Sequence, residues 1–136
     1  MYIRKHVTLL ILAVVLTACG STPSWDGYSP AEAARLQELG LSSSQANYFR
    51  DMGFTSDTIQ HWYDAGFSKS NEITAWHDAG FHADEAGQWR AGGFGLNDAH
   101  SWRKEAFSAE EAQDWHEKDF DLKEAKKLRS QGLSAD

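Results

Sequence analysis

The chain has only one cysteine in 136 residues, Cys19, so no disulfide can form within it and a small cross-linked scaffold is excluded. Its longest apolar run, residues 7–16, is too short to span a bilayer comfortably. There is no nucleophile elbow, no His-Glu-x-x-His helix and no phosphate-binding glycine loop. These absences remove the common hydrolase and nucleotide-binding signatures, and no catalytic, metal or cofactor site is expected. Long aliphatic side chains are also scarce, so the interior has to be built mainly from rings. Six tryptophans and seven phenylalanines are available for it.

The first 18 residues stand apart. Arg4 and Lys5 precede the apolar run, which is the layout of a secretory leader. The stretch Leu16, Thr17, Ala18, Cys19 resembles the lipobox of bacterial lipoproteins. That resemblance implies cleavage before Cys19, acylation of Cys19 and attachment to a lipid bilayer, with several acyl chains giving a stable anchor. Gly20, where an inner-membrane lipoprotein tends to carry Asp, implies the outer membrane with the domain facing the periplasm. Residues 19–27 then read as the acylated cysteine and a short tether, reaching at most about 27 Å over eight residues. Trp25 is expected to dock over the first repeat as a lid rather than to dip toward the bilayer.

The mature chain is the size of one domain. Losing Arg4 and Lys5 leaves 11 basic residues against 20 acidic ones, a net charge of −9. Such a surface disfavours nucleic acid and direct adhesion to anionic headgroups. The basic group Lys123, Lys126, Lys127 and Arg129, interrupted by Glu124, reads as a solvated helix face.

From residue 28 to 132 the chain repeats about every 13 residues: 28–40, 41–53, 54–66, 67–80, 81–93, 94–106, 107–119 and 120–132, the fourth being 14 long. A period this short predicts an all-α tandem array of about eight short helices, compact or solenoid-like, over 28–136. Position 1 is aromatic except at Leu41. Position 2 reads Ser29, Ser42, Thr55, Ser68, His82, Gly95, Ser108, Asp121, of which six are good N-caps. Three residues on stand Glu32, Gln45, Thr58, Glu72 (after the extra residue), Glu85, Asp98, Glu111 and Glu124. Ser29 with Glu32, Ser42 with Gln45 and Ser108 with Glu111 therefore form capping boxes, with Asp121 and Glu124 close to one. Position 6, always Ala or Ile, stands where a hydrophobic staple needs it.

Glycines 40, 53, 66, 80, 93 and 132 close the repeats, as left-handed helix ends require. Ala106 and Asp119 replace Gly, so those junctions are expected to be looser or to end without a left-handed residue. Nine-residue helices, roughly 13 Å long, are marginal alone and need stacked rings to hold them. The predicted core is Phe54, Trp62, Phe67, Trp76, Phe81, Trp89, Phe94, Trp102, Phe107, Trp115 and Phe120. Leu36, Phe49 and Leu128 take the tryptophan place in the end repeats, as expected if terminal units bury less.

The function this predicts is a non-enzymatic, membrane-anchored envelope lipoprotein serving as a structural or protein-interaction module with an envelope protein partner. A second reading makes it a binder of peptidoglycan or another glycan, with tryptophans stacking on sugars beside Tyr63, His77, Asp78, Arg90, Arg103 and His116. His77, Asp78, His82 and Asp84 gather near one turn, a spacing a zinc site could use in principle but which is not diagnostic; they read as solvent-facing helix-end residues. Asp57 and Asp64 read as solvated acids. Met52, Gly53 and Phe54 resemble the loop between helices of ubiquitin-associated domains, over three residues and with no functional implication.

Overall fold

A computed structural model describes residues 24–135. The leader and Cys19 lie outside the described residues, as does Asp136. Eight α-helices follow in order: α1 (Pro30–Glu38), α2 (Ser43–Asp51), α3 (Ser56–Asp64), α4 (Ser70–Asp78), α5 (Ala83–Ala91), α6 (Leu96–Lys104), α7 (Ala109–Glu117) and α8 (Leu122–Ser130). Each is nine residues long, and there is no strand among the described residues.

The helix starts follow the predicted chemistry. Capping boxes form at Ser29 with Glu32, Ser42 with Gln45, Ser108 with Glu111 and Asp121 with Glu124. Thr55 and Thr58 form a fifth, in which the Thr58 hydroxyl accepts from the Thr55 amide at 2.7 Å. The extra residue of the fourth repeat changes one assignment: Lys69, not Ser68, is the N-cap of α4 and makes no side-chain cap bond. His82 and Gly95 also start helices without a side-chain cap.

All eight helices end alike. In the first, the Gly40 amide donates to the Gln37 carbonyl and the Leu41 amide to that of Leu36, the paired bonds of a Schellman ending. The same two bonds recur at Ala106, where φ is 60°, and at Asp119, where φ is 62°. The expectation of looser or non-left-handed junctions at these two residues is thus corrected. Burial of the following Phe107 and Phe120 needs the same turn, and the chain makes it even without glycine.

Rings then fasten successive helices. Position 9 of each repeat meets position 1 of the next, in the pairs Trp62 and Phe67, Trp76 and Phe81, Trp89 and Phe94, Trp102 and Phe107, and Trp115 and Phe120. Their centroids lie 5.0 to 5.5 Å apart, edge to face, the arrangement favoured by ring quadrupoles. Position 6 is sealed inside at seven of eight repeats, from Ala46 and Ile59 to Ala125. All eleven predicted core rings are buried except Phe120, which is only partly so. Among the described residues no further full repeat follows to cover Phe120. The end repeats differ from each other: Leu36 and Phe49 are fully buried, while Leu128 is only partly buried. At the N-terminal end a lid supplies the difference. Trp25 packs edge-on to Tyr28 at 5.8 Å, Asn47 donates to the Ser24 carbonyl and Arg50 to that of Asp26. Residues 24–27 are therefore part of the folded array.

Alternate helices pack together. α1 lies against α3, α3 against α5 and α5 against α7, giving an odd-numbered row, with α6 also on α7. Gly87 sets one close approach, since a Cβ there would stand 3.2 Å from the Ala65 Cβ and 3.3 Å from its carbonyl oxygen. At the same register between α6 and α8 the pair is Glu105 and Lys126, joined at 2.7 Å. Two small residues let one pair of helices close, and two long ones stand at the corresponding place in the other.

Candidate functional site

Position 10 of the repeat decides much of the surface. Arg50 stacks over Tyr28, Arg90 over Phe67, Arg103 over Phe81 and Arg129 over Phe107, each within 5.0 Å of the ring centroid of the preceding repeat. His77 on Phe54 at 4.5 Å and His116 on Phe94 at 5.7 Å take the same place. A cation over a ring face is worth about 0.5–1 kcal/mol at an exposed site. Arg129 also donates to the Glu105 and Ala106 carbonyls, and Arg50 reaches back to the Asp26 carbonyl. The arginines thus brace the turn two repeats earlier as well as its ring. The sequence does carry this signal, as a basic or aromatic residue directly after each of the five repeat tryptophans, but it reads there as variable surface.

Four clefts share one plan. Each is bounded by positions 5, 8 and 9 of one repeat, position 10 of the next and the opening residues of the one after. The largest of the four, about 690 Å³, lies between α6 and α8 and is lined by Phe94, Trp102, His116, Asp98, Lys123 and Lys126 among others. Its counterparts measure about 450 Å³ beside Glu72 and Arg90, 340 Å³ beside Thr58 and His77, and 200 Å³ beside Glu111 and Arg129. In the smallest, the opening residues are supplied by the tail, Leu133, Ser134 and Ala135. The Leu-Ser-Ala of that tail matches Phe107, Ser108 and Ala109, and Ala135 is buried as Ala109 is.

The acids at position 5 differ in what holds them. Glu72 pairs with Arg90 at 3.4 Å and Glu85 with Arg103 at 3.5 Å. Glu32, Glu111 and Glu124 accept from the N-cap backbones of their own helices. The Ser29 hydroxyl and amide on the Glu32 carboxylate hold its pKa below the usual range. Asp98 alone among these has neither ion pair nor side-chain hydrogen bond among the described residues, because Gly95 offers no cap hydroxyl and position 10 opposite is His116.

The sequence candidates for other chemistry come only partly together. His77, His82 and Asp84 line the 340 Å³ cleft with His61, and His77 also stands 3.5 Å from Asp78. No three His, Cys, Asp or Glu side chains converge to hold a metal ion among the described residues. Asp57 pairs with Arg35 at 2.5 Å and Asp64 accepts from Gln60. Tyr63 gives its hydroxyl to the Ser68 carbonyl, and burial raises its pKa. The five repeat tryptophans are at most 6 % exposed. Their faces are committed to phenylalanine and helix, leaving none of these five rings open for a sugar to stack on, while Tyr48 is 48 % exposed. No described helix is long and apolar enough to cross a membrane. Compared with protein-family models, curated proteins and solved structures, the chain matches none.

Proposed function

We propose that the chain is a lipid-anchored protein of the bacterial envelope, held by acylated Cys19 at the outer membrane, whose helical array acts as a non-enzymatic structural or protein-interaction module. The observation that carries this reading is the division of labour within each repeat. Every repeat tryptophan is spent on the interior, so what reaches solvent is a polar surface that changes from repeat to repeat around clefts of constant plan. A fixed core under a varied surface is how repeat arrays recognise partners.

Burial of the tryptophan faces removes the feature that favoured glycan stacking, and His77, Arg90, Arg103 and His116 are occupied on phenylalanine rings. Crosslinking in the native cell, followed by capture of the acylated protein from membranes, tests the proposal. It expects one envelope protein to be recovered repeatedly; capture of none, across several crosslinker lengths, would refute the interaction reading. Replacing Cys19 by Ser is expected to move the protein from the membrane to the soluble fraction. Retention at the membrane would refute the anchor. Sedimentation with purified sacculi is expected to match an unrelated acidic control.

A further inference from the structure

The cleft between α6 and α8 has an acid without the arginine that answers the acids of the two preceding repeats. At the fourth and fifth repeats, position 5 is Glu72 or Glu85, and position 10 of the next repeat answers with Arg90 or Arg103. Each guanidinium lies over a phenylalanine of the repeat before, at 4.7 Å from Phe67 and 4.2 Å from Phe81. In the next groove the acid is Asp98 and the ring is Phe94, but the residue from the following repeat is His116. Here Asp98 has no partner among the described residues, and the cleft reaches about 690 Å³, within the range of ligand sites.

We propose that this cleft receives an arginine side chain from a partner protein, whose guanidinium pairs with Asp98 beside Phe94 as Arg90 and Arg103 do with their own acids. The planar fork suits a carboxylate and an aromatic neighbour together, which a lysine ammonium does less well. A strongly acidic chain also draws basic segments toward it. Of the other charges lining the cleft, Glu105 and Lys126 pair with each other at 2.7 Å, while Asp98 and Lys123 have no ion pair among the described residues. This proposal rests on the reading of the array as an interaction module and names the chemistry of its partner.

The test uses the soluble domain beginning after Cys19 and the tripeptide alanyl-arginyl-alanine, blocked at both ends, against the same peptide with neutral citrulline for arginine. Amide and indole shifts of Asp98, Ser101 and Trp102 report binding. The arginine peptide is expected to shift them and the citrulline peptide to bind at least about fivefold more weakly. Asp98→Asn should remove the difference between the peptides. His116→Arg should abolish binding by supplying the guanidinium from within, while its own fold and stability persist. Equal binding of both peptides, undiminished binding to His116→Arg, or no shift at millimolar peptide would each overturn the proposal. If an in-cell partner is captured equally by wild type, Asp98→Asn and His116→Arg, the cleft proposal fails and the interaction module stands.

Discussion

Ala106 holds a left-handed backbone with φ 60°, a conformation that costs a residue with a Cβ roughly 1–2 kcal/mol. Its surroundings over-determine it: two Schellman bonds end α6, Phe107 is buried, and Arg129 takes the carbonyls of residues 105 and 106. Ala106→Gly is expected to relieve the strain while adding some freedom to the unfolded chain, for a net gain of about 0.5–1 kcal/mol. Urea denaturation should show a higher midpoint with unchanged slope; a lower midpoint would mean the turn is unstrained. Asp119→Gly should gain less, since Asp tolerates this region better. At the other end, Glu32 has a pKa lowered by the Ser29 hydroxyl and amide, with Ser56 and Arg35 adding to it. The folded state therefore binds fewer protons than the unfolded one around the ordinary glutamate pKa. That contribution is present above the unfolded pKa and is lost as pH falls through the folded one. Thermal melts between pH 6 and 3, roughly that window, should fall less steeply for Glu32→Gln than for wild type.

Among the elements, α4 departs from the pattern. Its extra residue moves the N-cap to Lys69, whose side chain offers no acceptor, while Phe67 stays fully buried and Tyr63 holds the Ser68 carbonyl. The insertion is absorbed in the turn and leaves the ring in place. Lys69→Ser should restore a cap and stabilise the domain by roughly 0.5–1 kcal/mol, read as a higher melting temperature. No gain would show that the turn dihedrals, not the side chain, decide this helix start. Gly87, inside α5, is a helix-weakening residue kept where α5 meets the end of α3. Local propensity yields there to close approach.

For the whole molecule, contacts run mostly between a repeat and the next two, so stability resembles a sum of neighbouring interfaces. A central lesion therefore damages more than a terminal one. Trp89→Ala removes a side chain that is 1 % exposed between two neighbouring repeats and is expected to cost about 3–5 kcal/mol. Leu128→Ala, on a partly buried residue of the last repeat, should cost clearly less. Chemical denaturation of the two variants checks the order, and equal losses would argue against additive neighbours. The same locality lets the cleft between α6 and α8 vary without disturbing the far end of the array.

The number and length of the helices, most of their caps and most of the buried positions 1, 6 and 9 were legible in the sequence, because capping bonds and ring pairing act within about one repeat. Ser29 with Glu32, and Trp89 with Phe94, need only the local turn to meet. What stayed illegible acts over two repeats: the odd-numbered row of helices, the arginines over earlier rings, and the left-handed turn at Ala106. Arg129 and Ala106 are 23 residues apart, and no local periodicity reports their contact. Asp98 carries the same lesson. In sequence it is one more acid at a capping position, and only stacking of the next repeat opposite it reveals that its neighbour is His116 instead of arginine. Local chemistry set the helices, while the superposition of repeats decided which charges were answered and where a cleft remained.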